Sequence, residues 1–189
     1  CMNYLTLFIL FISSSAFGFE QNITCPSFDE CSFENNANAI SFESESTKLG
    51  ILTTSFGGRA LSFKIQGKVN QVETKEVIVT IPVGGLSTDL SGRDDKMWNE
   101  ILNKEKFPEI KLFFPTIEHE FSGIKTVKIS ILGQDHDLSV ELTSTFNDGK
   151  VLVTGNGSFS LKELKIPDPS IAIASVRDRF DFKFKALIQ

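Results

Sequence analysis

Both histidines of the chain stand between acids, in Glu118-His119-Glu120 and Asp135-His136-Asp137. Imidazole beside carboxylate is a pairing used for metal ligation and for general acid–base work. Both triplets lie in stretches of period two, where successive side chains leave on opposite faces. Neither imidazole therefore collects its own flanking carboxylates. Both also fall at apparent strand ends, where solvated histidines are expected. No G-x-S-x-G, H-E-x-x-H or C-x-x-C is present. A metal- or acid/base-dependent enzyme is thus the lesser reading, and no catalytic residue, metal ligand or cofactor is assigned.

Cys25 and Cys31 bracket the short run Pro26 to Glu30. A disulfide across such a loop is feasible in an oxidising compartment and contributes about 2 kcal/mol by constraining the unfolded chain. Two cysteines without a nearby histidine make a poor metal site. Arg93 offers fixed guanidinium donors to a polar or anionic head group. The alternative, and the favoured one, is an ion pair with Asp94, Asp95 or Asp178 that fixes the neighbouring helix.

The elements that must position these groups are mostly strands. A chain of 189 residues with 41% hydrophobic and 23% charged residues has the balance of one folded domain. Its net charge of −5, with no basic cluster, argues against nucleic acid. Tyr4 to Ile12 is an apolar run too short to span a bilayer as a helix. With Ala16-Phe17-Gly18 after it, it reads as a signal peptide over 1–18, mature from Phe19. Residues 19–36 read as a cysteine-bearing loop segment, and 37–189 as the folded domain. Eighteen Phe against one Trp and one Tyr fits either coding bias or an aromatic-lined interior.

Alternation of apolar and polar residues marks strands at Ala39–Ser44, through Phe63 and Ile65, at Val77–Val83, and through Ile110, Leu112 and Phe114. It continues through Val127–Ile131, Leu138–Leu142, Val151–Leu161 and Phe180–Phe184. Asn147-Asp148-Gly149-Lys150 is a hairpin turn of the Asp-Gly kind. Phe56-Gly57-Gly58 reads as a bulge or corner. One amphipathic helix is expected from about Asp94 to Asn103, with Met97, Trp98, Ile101 and Leu102 on its apolar side and Asp94 or Ser91 as cap. About eight strands of period two and one short helix predict an all-β antiparallel barrel. Such a bore suits side chains or one long, thin guest.

The stretch from Ile78 to Phe114 resembles the signature of the YceI-like, polyisoprenoid-binding periplasmic proteins. The residues carrying the likeness are Leu86-Ser87-Thr88-Asp89, Arg93-Asp94, Met97-Trp98 and Phe107-Pro108-Glu109-Ile110. Gly133 with the strand from Leu138, the return strand Gly155–Leu161, and Val176-Arg177-Asp178-Arg179-Phe180 continue it, so that most of 37–186 is covered. Gly84-Gly85, expected to loosen its turn, and the cysteine loop depart from the pattern. The resemblance implies a lipocalin-like barrel holding a polyprenyl lipid or isoprenoid quinone. The expectation built on it is transport or storage in the periplasm, with transient membrane contact for loading. It selects as cavity wall Phe63, Ile65, Val79 and Ile81; Ile110, Leu112 and Phe114; and Ile129, Val140, Phe180 and Phe182. Trp98 and Phe107 are expected near one mouth. A packed β module for structure or adhesion is the competing class, since half-buried strands alone look the same.

Overall fold

The computed structural model describes residues 16–189. Most of the expected leader lies outside the described residues, and the expected cleavage point after Gly18 falls inside the first strand. The strands are β1 (Phe17–Thr24), β2 (Ala39–Lys48), β3 (Leu52–Ala60), β4 (Ser62–Val69), β5 (Glu73–Pro82) and β6 (Leu86–Ser87). After the helix come β7 (Glu109–Glu118), β8 (Phe121–Ile131), β9 (Gln134–Asn147), β10 (Lys150–Ser160), β11 (Ala174–Val176) and β12 (Arg179–Ile188). They form one antiparallel sheet in the order β1-β4-β5-β7-β8-β9-β10-β12-β2-β3-β6, with β11 beside β2.

Twelve strands exceed the eight or so expected, for a physical reason. Two strand paths are each bent by a corner: β3 and β4 at Leu61, β5 and β6 at the 3-10 turn Val83–Gly85. The corners grip each other, the Leu61 N–H donating to the Gly85 carbonyl at 2.7 Å. A Cβ at Gly85 would lie 2.4 Å from Ser62 Oγ, so glycine tightens this crossing instead of loosening it. With β6 paired to β3 and β5 to β4, the sheet curls into a half-barrel whose two ends meet here. Short additions, β1 and β11, make up the rest of the count.

The segment expected as loop is partly strand, because β1 pairs with the free edge of β4 from Phe17↔Val69 to Thr24↔Ser62. An edge strand leaves backbone groups unpaired, and β1 satisfies them. Beyond it, a disulfide joins Cys25 to Cys31. The segment then crosses the outer face of the sheet. Arg59 stacks its guanidinium 4.1 Å from the Phe28 ring centroid, and Lys185 donates to the Phe33 carbonyl at 2.5 Å.

Phe56-Gly57-Gly58 is no corner; it runs unbroken within β3. Gly58 lies opposite Phe42 of β2, and a Cβ there would fall 2.2 Å from Phe42 Cζ. The glycine makes room for an inward phenylalanine. The hairpin at Asn147–Lys150 is as expected, with Asp148 at φ 49° and Gly149 at φ 77°.

The helix starts three residues earlier than expected. The α-helix α1 (Ser91–Lys96) passes into a π turn at Met97–Ile101. Its first turn carries no side-chain cap: Leu90 holds that position, and Asp94 is used elsewhere. Among the described residues, no helix is long and apolar enough to cross a membrane.

Candidate functional site: a blind apolar cavity with a cationic mouth

The inward side chains divide the barrel into two halves. In one half Val77, Phe114, Ile117, Val127, Val140, Leu142, Val151 and Val153 are buried against one another. That end is plugged by polar residues. Thr74 Oγ1 lies 3.3 Å from His119 Nε2, the Ser144 hydroxyl donates to the Glu118 carbonyl, and the His119 ring stacks 5.0 Å from Phe146. His119 is therefore buried, not solvated at a strand end as expected. The β4–β5 turn folds over it, with the His119 N–H donating to the Val72 carbonyl at 3.0 Å.

The other half is hollow. A cavity of about 520 Å³ opens there, within the roughly 300–1,000 Å³ of pockets that hold one small ligand. Ile81, Ile110, Leu112, Ile129, Ile131 and Leu138 form its strand wall, with Phe42, Phe56, Phe159, Phe180 and Phe182 opposite. The aromatic side is a cluster in its own right. Phe159 stacks on Phe180 at 5.6 Å, and Phe56 meets Phe180 edge-on at 5.9 Å. Met97 and Ile101 of the helix, with Leu102 just after it, cover one side of the opening. Leu161, Leu164, Ile166 and Ile171 of the long loop before β11 cover another.

Of the residues expected on the wall, Ile81, Ile110, Leu112, Ile129, Phe180 and Phe182 line the cavity. Phe63, Ile65, Val79, Phe114 and Val140 do not; all are buried in the packed core. The expected full-length bore is thus a blind pocket. Trp98 and Phe107 are not lining residues either. The Trp98 indole N–H donates to the Leu86 carbonyl at 2.8 Å and ties the helix to β6. Phe107 packs so closely on Gly133 that a Cβ there would lie 2.8 Å from Phe107 Cε1. Their hydrophobic bulk anchors the covering helix instead of facing the guest.

Among the described residues, three charged side chains line the cavity, Lys48, Arg93 and Lys96, and no Asp or Glu does. In a chain of net charge −5 this is a local reversal. Lys96 Nζ donates to the Pro169 carbonyl at 2.9 Å, joining the helix to the long loop. Arg93 makes none of the ion pairs expected for it. Asp94 instead accepts from the Thr88 N–H at 2.7 Å, the Thr88 hydroxyl at 2.6 Å and the Ser87 hydroxyl at 2.8 Å. Asp178 takes the Ser160 hydroxyl at 2.6 Å and the Lys162 N–H at 3.0 Å. Arg93 is left half-buried, with its guanidinium 5.1 Å from the Phe56 ring centroid.

Arg93, Thr88, Phe42, Phe56 and Phe182 also border a second hollow of about 820 Å³, polar and of mixed charge, which includes Arg59, Glu43, Asp181 and Lys183. Arg93 thus stands where apolar space gives way to polar space.

Sequence reasoning missed Asp94 as a staple and the loop at 161–173 as a wall. The signal for the first was two hydroxyl residues, Ser87 and Thr88, just before a helix carrying a carboxylate. For the second it was the run of apolar residues in a segment without strand periodicity. His136 faces inward opposite Ile129, while Asp135 takes the Ser130 hydroxyl and Asp137 meets Lys128 at 3.4 Å. Among the described residues no three His, Cys, Asp or Glu side chains gather as a metal site.

Among solved structures, this fold is similar to that of a polyisoprenoid binding domain from Saccharophagus degradans implicated in plant cell wall breakdown. The TM-score is 0.58 at 12% identity, covering 81% of this chain and 98% of that one. It is likewise similar to Burkholderia cenocepacia BcnA, with a TM-score of 0.60 at 14% identity, covering 80% and 96%. At these identities the likeness is one of fold. A search of curated proteins returned no match. The family model of the YceI-like domain matches residues 32–187, a span that holds the curled sheet, its covering helix and the cavity between them, and the chain belongs to that family.

Proposed function

We propose that this protein binds the tail of a polyprenyl lipid in the apolar cavity and carries or stores it, without catalysing a reaction. One observation carries the reading. Among the described residues the cavity wall is mainly aliphatic and aromatic with a few Ser and Thr hydroxyls, and its charged residues are cations alone. At about 30 Å³ for each water-sized group, the cavity takes on the order of 17 such groups. At roughly 0.8 kcal/mol per buried CH₂, a tail of that size gains more than about 10 kcal/mol gross on leaving water. That is of the same order as the ordering cost of association, about 4–15 kcal/mol, and head-group contacts add to it. The family match and the polyisoprenoid binding domain of the same fold support the choice of a prenyl tail.

The head group stays at the mouth beside Arg93. An anionic head, such as a prenyl phosphate, gives Arg93, Lys96 and Lys48 a charge to meet; a neutral isoprenoid quinone does not. Export to the periplasm is part of the proposal, and the Cys25–Cys31 disulfide supports it, since such bonds persist in oxidising compartments.

The test is organic extraction of the protein purified from its native source, followed by mass spectrometry. A stoichiometric prenyl lipid is expected. An extract without any long-chain lipid, from protein that also fails to take up a prenyl phosphate in detergent, rejects the carrier role.

A further inference from the structure

We infer that the tip of the β2–β3 hairpin and the loop at 171–173 form a rim that inserts into a lipid bilayer around the cavity mouth. Five aliphatic side chains stand out from these two segments: Leu49 (76% exposed), Ile51 (88%), Leu52 (59%), Ile171 (53%) and Ile173 (61%). The segments are one surface. The Leu49 N–H donates to the Ile173 carbonyl at 2.9 Å, and Lys48 pairs with Ala174. An apolar cluster of this kind on a monomer marks a contact site.

Turn chemistry does not account for these residues. Leu49 sits at φ 50° and Gly50 at φ 69°, a pair of left-handed positions where Asn-Gly is the ordinary choice. A bulky, exposed leucine there is unfavourable for the turn and contributes nothing to the core. It acquires a use only when something apolar covers it. The rim also runs straight into the cavity, because Ile171 belongs to both and Lys48 and Ala174, which flank the rim, line the cavity. That continuity selects a bilayer as the occupant: a prenyl tail could pass from membrane to cavity without crossing water. Lys48 has the long stem and charged end that suit the head-group level. The inference rests on the lipid-binding reading for its purpose, but not for its test.

The experiment is flotation of the whole protein with vesicles of phosphatidylcholine, with and without phosphatidylglycerol, alongside the double variant Leu49→Asn/Ile51→Ser. Asn suits the left-handed turn, so the variant keeps its thermal stability. Wild type is expected to float with vesicles, and the variant to bind about tenfold more weakly for each side chain removed. Uptake of a detergent-solubilised prenyl phosphate should be equal in both. Wild type that ignores vesicles, or a variant that binds them as well, overturns the inference. So does a wild-type dimer in sedimentation that the variant converts to monomer, since the rim would then be covered by a second copy. Vesicle binding lost in the variant while neither protein takes up prenyl lipid upholds the rim and removes the carrier role instead.

Discussion

Thr88 gives Asp94 both of its donors: the backbone N–H and the hydroxyl reach the same carboxylate oxygen, at 2.7 and 2.6 Å. Asp94 is buried, and its other oxygen takes the Ser87 hydroxyl. The carboxylate thereby ties the helix that covers the cavity to β6, the strand that closes the sheet. Charge-assisted hydrogen bonds of this kind are roughly twice as strong as neutral ones. Asp94→Ala should cost on the order of 3 kcal/mol in urea unfolding, because it strands two buried donors as well as losing the bonds. Thr88→Val, which keeps the backbone donor, should cost about half as much. Equal losses for the two variants would show that the hydroxyl carries the whole tie.

The two halves of the barrel should respond in opposite ways to a change of volume. Ile65 is only 1% exposed and does not line the cavity. Ile65→Ala should cost about 2–5 kcal/mol, with lipid affinity unchanged in the folded fraction. Ile110 lines the hollow half. Ile110→Trp should fill space already empty, change stability by less than about 1.5 kcal/mol, and abolish uptake of a prenyl lipid. Paired unfolding and uptake measurements separate the halves.

The Arg93 guanidinium has no hydrogen-bond or ion-pair partner among the described residues; it only lies over the Phe56 ring. Arg93→Ala should therefore leave the unfolding midpoint nearly unchanged. Its affinity for a prenyl phosphate should fall about ten- to hundredfold, as for a lost charged hydrogen bond, and for the matching alcohol far less. Titration calorimetry or a fluorescent competitor reads both ligands. A similar loss for phosphate and alcohol would place the head group away from Arg93.

Acid should loosen the long loop that walls the cavity. The Ser160 hydroxyl, then the N–H and charge of Lys162, hold the Asp178 carboxyl below its ordinary value. Asp168, in the same loop, is lowered by Ser170. Groups with depressed folded values stabilise the fold above their unfolded pKa of about 4, and that stability goes as pH falls through the folded value. Thermal melts should thus be flat from neutral pH down to about 5 and fall steeply below about 4. Asp178→Asn should melt lower at neutral pH and show a shallower acid limb. A variant whose limb parallels wild type would assign the acid loss to other groups.

The local physics of this chain was legible in one dimension. Period-two alternation marked the long strands, three- and four-residue spacing marked the apolar side of the helix, and Asp148-Gly149 marked its hairpin, because each depends on neighbours along the chain. Spacing placed Cys25 and Cys31 within reach of each other. The resemblance between Ile78 and Phe114 singled out the helix with Arg93 and Asp94. Tertiary structure decided the rest. Alternation tells which face a side chain takes but not what packs against it, so Ile65 and Ile110 look alike in sequence although one is core and the other is wall. Arg93 lost its expected acids because Ser87, Thr88 and Ser160 arrived from other elements to claim Asp94 and Asp178. His119 went from surface to interior because a turn many residues earlier in the chain folds over it. Burial and partnership are settled by what packs on top, and that is a property of the assembled sheet.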